Sequence, residues 1–172
     1  MISATPSGGC LQSSPTIPVL GFPLGSRLQI IWLEAGLASS PVAGRRSRST
    51  LRPTSVLREG RPVLACGTPG GDQQEQWQLL FLLRHLVGGP ELQQSVDAPT
   101  WHTTSLPGSF YPRATEPGVL VVEDRLDAPV RAGLAARGHR VRLSGPWTVG
   151  RMCAVARDPV SGVLRAAGNP AA

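Results

Sequence analysis

The chain has no lysine. All 17 of its basic residues are arginine, set against 11 acidic ones for a formal charge of +6. A lysine-free composition reflects a GC-rich coding sequence at least as readily as a functional demand. Arginine-rich chains can bind phosphates, but these arginines are scattered. The one dense cluster, Arg45-Arg46-Ser47-Arg48, sits in a polar stretch and reads as a solvated loop, so nucleic acid is not expected as a partner. Cysteine is scarce: Cys10, Cys66 and Cys153 are odd in number, far apart and without Cys/His ligand spacing. That pattern argues against a disulfide framework or a structural zinc, and leaves them as buried, reduced, small hydrophobes. No run approaches the roughly 18 apolar residues of a membrane span. The first residues show no basic stretch followed by an apolar core, so no signal peptide and no membrane partner are expected and the cytoplasm is favoured.

What the chain does have is glycine and proline, 20 and 17 in 172 residues, which predicts many turns. The length suits one domain with a real core. The stretch that organises it is Gly67-Thr68-Pro69-Gly70-Gly71-Asp72. Ahead of it, Pro62-Val63-Leu64-Ala65-Cys66 reads as a strand; behind it a long apolar helix starts near Gln73. A strand, a glycine turn and a helix start together aim unpaired backbone N–H groups, and the positive helix end, at an anion. Gly70 and Gly71 allow close approach of the main chain, and Asp72 and Glu75 stand at capping-box spacing. Taken alone, the loop reads better as a turn that simply needs glycine.

In chain order, 1–14 predicts a strand running into a glycine loop. Leu28 to Leu33 predicts a buried strand or a short helix. Glu34 to Thr54, rich in Pro, Ser and Arg, predicts an exposed loop. Thr54–Leu57 and Pro62–Cys66 form a hairpin through Glu59-Gly60. Trp77, Leu79, Leu80, Phe81, Leu82, Leu83, Leu86 and Val87 make the long helix apolar around nearly its whole circumference, as in a helix buried on several sides. A short helix spans Leu92–Val96 and another Ala128–Arg137. Strands are expected at Gly118–Glu123, His139–Leu143, Cys153–Arg157 and Val163–Ala167, with Glu123 and Asp124 solvated at a strand end.

Ser49-Thr50-Leu51-Arg52-Pro53-Thr54, the hairpin, and then GTPGGDQQEQWQLLFLLRHL together resemble the small-subunit region of the gamma-glutamyltransferase family, which belongs to the N-terminal-nucleophile hydrolases. The resemblance runs from about Ser3 to Asn169. It implies an α+β fold, part of a four-layer αββα sandwich, with residues 1–172 as a single partial domain. In the family a Thr that opens the small subunit attacks a γ-glutamyl amide, with its own α-amine as base. That Thr lies upstream of the matched region, so the chain resembles a C-terminal portion begun after the nucleophile. The expected partners are therefore an amide substrate, a large subunit and the nucleophile-bearing strand; the resemblance implies neither cofactor nor metal.

Carried over residue by residue, the resemblance makes the N–H groups of Gly70 and Gly71 the oxyanion holders. It makes Ser49 and Thr50 the hydroxyls that bind the substrate α-carboxylate, and Ser7 a hydroxyl that supports the nucleophile. Three positions depart from the transpeptidase pattern. Gly9 stands for an Asn, Arg27 for a Gln, and Ile30 for the Asp that grips the substrate α-ammonium. Loss of that Asp and gain of an Arg suit an acidic acyl group, so an acylase-like branch is the alternative activity. Asn169-Pro170 matches an Asx-Pro-Arg ending in which Ala171 replaces the Arg. His102, beside Thr103 and Thr104, is not read as a base because no acid is spaced to orient it. His85 and His139 are read as packing or surface residues. Alone, the chain is expected to be inactive; a non-catalytic truncated product is the reading from another class.

Overall fold

A computed structural model describes residues 15–23, 26–46 and 48–170. The expectations for 1–14, for Ser7, Gly9 and Cys10, and for Ala171 lie outside the described residues. Two compact units are present, one formed by residues up to Leu51 with Gly108–Ala114, the other by Arg52–Pro107 with Thr115 onward.

In the first unit, β1 (Thr16–Ile17) pairs antiparallel with β2 (Phe22–Pro23). The apolar run, expected as a strand or a short helix, opens in a five-residue 3-10 helix, Ser26–Ile30, in line with the second of those alternatives. Its bonds close locally, the Ile31 N–H reaching the Leu28 carbonyl at 3.3 Å, and among the described residues no strand pairs with it. The turn buries Ile30 completely. Arg113 fastens Gly108–Ala114 to this run: its guanidinium lies 4.1 Å over the Trp32 ring and donates to the Ile31 carbonyl at 2.7 Å. Among the described residues from Glu34 to Pro53 there is no helix or strand, and most are exposed.

The second unit holds two sheets. The first has the order β3 (Thr54–Arg58), β4 (Arg61–Gly67), β8 (Cys153–Arg157), β9 (Leu164–Gly168), all antiparallel. The second is β5 (Trp101–Thr103), β6 (Val119–Glu123), β7 (Arg140–Ser144). Glu59 and Gly60 both take positive φ, 52° and 75°, as a two-residue hairpin turn requires. All five residues of β6 are buried, which explains its unbroken apolar run. β6 and β7 are parallel and are joined through a helix, α3 (Ala128–Ala136), stopped by Gly138 at φ 93°. β5 occupies residues that carry no strand pattern, because three residues are too few to show alternation.

The long helix begins two residues after Asp72. It runs as α1 (Gln74–Leu83) and ends in a five-residue π-helical segment, Arg84–Gly88; α2 (Leu92–Asp97) follows. Its cap is Gln73, whose side chain makes no capping bond, and Glu75 pairs with Arg52 at 3.2 Å instead of closing a capping box. Two glutamines tie α1 to both sheets. Gln76 exchanges two hydrogen bonds with the Thr103 backbone on β5, at 2.8 and 3.1 Å. Gln78, buried, donates to the Arg52 carbonyl and accepts from the Thr54 hydroxyl, both at 2.6 Å. Only one side of α1 is covered among the described residues, so the expected burial on several sides is not met: Leu79, Leu83, Leu86 and Val87 are about half exposed or more.

Cys66 is buried as expected, and burial pushes its thiol up to about 11, whereas Cys153 is exposed. Glu123 is the larger correction. Far from solvated, it is 1% exposed and accepts from Arg125 at 2.5 Å, from the Thr100 N–H at 3.2 Å and from the Val149 N–H at 3.4 Å. Arg125 in turn stacks 3.4 Å from the Trp147 ring centroid. Replacing Glu123→Gln leaves the neighbouring cation and amides short of an anion; it is expected to cost about 3 kcal/mol, at the low end for breaking a buried ion pair, read from the urea midpoint. Glu116→Gln, which breaks the exposed pair with Arg142, should leave that midpoint close to wild type. In native protein, maleimide should label Cys153 and spare Cys66 until urea unfolds the chain, as peptide mapping will report.

Candidate active site

The organising loop leaves β4 at Gly67 and enters α1 at Gln74. Thr68 anchors it: the hydroxyl donates to the Pro69 carbonyl at 2.9 Å and accepts the Arg151 N–H at 3.3 Å. Gly70 is exposed with φ 112°, a region that L side chains rarely adopt. Gly71 is half-buried. Among the described residues, no carbonyl or side chain takes the N–H of Gly70 or Gly71. Two donors at an accessible loop, one turn ahead of a ten-residue helix, can hold an oxyanion.

Gly70 must be glycine for a second reason. A Cβ there would stand 2.6 Å from Cζ3 and 3.0 Å from Cη2 of Trp77. A helical side chain leans over the turn N-terminal to its own Cα, and Trp77 in the first turn of α1 therefore reaches back under the loop. The same ring meets Gly150, where a Cβ would lie 3.2 Å from Cγ and Cδ2. His102 closes its edge with centroids 5.6 Å apart and planes at 75°. Nothing in the sequence alone marks this contact beyond a bulky aromatic in the turn after Gly-Gly.

In the first unit, Arg27 and Thr50 come together: Nη1 of Arg27 donates to Oγ1 of Thr50 at 3.4 Å. Thr50 is only 5% exposed. Ser49, half-buried, accepts the Leu51 N–H on its hydroxyl oxygen at 3.1 Å, which leaves its O–H directed by other contacts. Ile30, at the position of the Asp that grips an ammonium, is a core residue. In the same unit, a cavity of about 300 Å³ has Leu28, Ile31, Val42, Arg45 and Arg46 in its lining.

The histidines do not assemble a base. His85 is packed, stacking on Phe81 at 5.9 Å with Nδ1 3.2 Å from the Pro90 carbonyl, and His139 is exposed. His102 is half-buried with Nδ1 unpartnered. Burial, and secondarily the charge of Arg142, hold its imidazole below the ordinary 6.5. No group of three or more His, Cys, Asp or Glu among the described residues is placed to hold a metal, and no described helix is long and apolar enough to cross a membrane. Because the unfolded chain protonates His102 at a higher pH than the folded one, stability is full above about 6.5 and declines as pH falls below it. His102→Gln should flatten that decline, compared by melting temperature at pH 7 and pH 5.

The family profile described as Gamma-glutamyltranspeptidase matches residues 1–172. The chain is 31% identical, over 96% of its length, to the Acylase ACY 1 proenzyme of Pseudomonas sp. strain SE83, and spans 27% of that protein. It is 57% identical to the solved structure of LmbA2991HD, with a TM-score of 0.88 over 96% of this chain and 30% of that one. A gamma-glutamyltranspeptidase from Pseudomonas nitroreducens, solved with L-DON, shares the fold at 21% identity and a TM-score of 0.70, over 95% of this chain and 82% of the matched chain.

Proposed function

The chain belongs to the gamma-glutamyltranspeptidase family and has the α+β fold of part of an N-terminal-nucleophile hydrolase, and on that premise we propose that it supplies the oxyanion loop and part of the acyl pocket of an amide-cleaving enzyme. The observation that carries this reading is the pair of unclaimed N–H groups at Gly70 and Gly71, presented one turn ahead of α1. A threonine hydroxyl from the rest of the enzyme attacks the amide carbonyl and passes its proton to the threonine α-amine. The negative oxygen that forms is held by Gly70 and Gly71. Collapse breaks the C–N bond, the amine leaves with a proton, and water or a second amine takes the acyl group from the threonine.

The first unit carries Ser49 and Thr50, the residues that the family resemblance assigns to the substrate carboxylate, and there Arg27 donates to Thr50 and brings a permanent positive charge. An apolar, completely buried Ile30 cannot meet an α-ammonium. This favours an acidic acyl group without an α-amine over a γ-glutamyl group, the second reading within the same family and one in keeping with the acylase relative.

The test compares γ-glutamyl and glutaryl p-nitroanilides, with this chain alone and with the chain joined to the N-terminal region its relatives carry. The chain alone should release no nitroaniline and the joined form should, faster from the glutaryl compound. Gly71→Pro in the joined form removes one N–H and should lower kcat by roughly 100-fold. Release by the chain alone, or an undiminished Gly71→Pro, sinks this reading. Silence from every form would assign the chain a non-catalytic role.

A further inference from the structure

In the Gly70–Gly71 loop, Gly70 is exposed and faces the Trp77 ring. The six-membered half of Trp77, through Cζ3 and Cη2, faces Gly70; the pyrrole side, through Cγ and Cδ2, faces Gly150. Both glycines have positive φ, 112° and 75°, so each turns its bare Cα edge to the indole. The ring's remaining surroundings are fixed. It packs against the cluster of Leu64, Phe81 and Met152 on one side and that of Val119, Val121 and Val149 on the other, with His102 at its edge.

We propose that Trp77 is the positioning residue of this loop: wedged between Gly70 and Gly150, its indole holds the Gly70 and Gly71 amides in one orientation. The inference deepens the oxyanion reading, on which its catalytic consequence rests. An indole is a costly choice for mere filling. Its Nε1 is buried without an acceptor, a penalty that phenylalanine would avoid. What phenylalanine lacks is span: one six-membered ring reaches either glycine, not both. The second ring is therefore explained by the double contact. A preformed donor pair needs such a brace, because donors that must reorient as charge develops contribute less to its stabilisation.

The test is made on this chain and on the loop itself, so it holds whether or not the loop receives an oxyanion. Backbone order parameters and glycine resonances are followed by NMR in wild type, Trp77→Phe and Trp77→Leu. In Trp77→Phe, the order parameters of Gly70 and Gly71 should fall from the rigid range of about 0.85 toward about 0.6, and ring-current displacement of the Gly70 protons should shrink. Leu64 and Val122, buried in the two sheets, should keep their wild-type order parameters. Trp77→Leu should act the same way more strongly; if it fails to fold, Trp77→Phe still decides. The second measurement is a cycle with Gly70→Ala. The fall in melting temperature that this substitution causes should be smaller in the Trp77→Phe background, where the Cβ no longer meets Cζ3 and Cη2. Unchanged Gly70 order parameters in Trp77→Phe overturn the proposal, as does an equal fall at Leu64 and Val122, which would make the ring core filling only. So does a Gly70→Ala cost that is the same in both backgrounds. Failure of the Gly71→Pro assay, by contrast, removes the oxyanion role and leaves the brace standing.

Discussion

The second unit hangs on the carboxylate of Glu123. It ends the buried strand β6 and reaches three other segments at once: the Thr100 N–H ahead of β5, the Val149 N–H in the turn after β7, and the Arg125 guanidinium. An ionised carboxylate in a dry site is tolerated only when its oxygens are saturated with donors, and here they are. The next residue after Val149 is Gly150, which lies against Trp77, and Trp77 lies against Gly70. A charge at the end of the central strand is thus coupled, through one backbone step and one ring, to the loop that presents the free amides. Arg84 extends the charged cluster: it donates to the carbonyls of Ala98 and Pro99, burial and the nearby Arg125 hold its guanidinium below the usual arginine range, and Glu123 opposes that shift.

This arrangement explains why polar residues occupy the inner side of a helix whose composition is so apolar. Gln76 and Gln78 each satisfy backbone groups at the margin of a different sheet, which sets α1 in rotation and in height. Leucine at those positions would add apolar area but would leave the Thr103 N–H and the Arg52 carbonyl without those partners. The leucines go outward instead. Leu79, Leu83, Leu86 and Val87 form an apolar stripe at helical spacing, uncovered among the described residues.

Much of the fold could be read from residue order. The hairpin through Glu59-Gly60, the strand Val119–Glu123 and the helices at Leu92 and Ala128 announce themselves by turn chemistry, unbroken apolar runs and glycine stops. The misreadings have physical causes. Leu28–Leu33 stays open between strand and short helix because composition carries no information about whether a neighbour exists to pair with, and the run opens in a 3-10 helix. Glu123 reads as solvated because an acid at a strand end usually is; only the convergence of Arg125 and two distant N–H groups reverses that. β5 is set by Gln76 from α1, a partner 27 positions away from Thr103. Of the proposed site, Gly70 and Gly71 stand out as candidates through the strand, glycine turn and helix order taken together with the family resemblance. Trp77 does not, since its importance lies in which atoms of the ring it sets against two glycines.

Gly70 also shows why a residue's identity alone understates a site. A glycine required by φ and a glycine required by space look the same in a sequence, and here both requirements fall on one residue. Either could be relieved separately, by asparagine for the first or by a smaller side chain at position 77 for the second. Their coincidence means that the loop's conformation is set from inside the chain and from beneath it. In the proposed oxyanion role, a donor pair held in that way keeps its direction before any anion arrives, and the buried, unpaired indole N–H is what the ring that would hold it costs the fold.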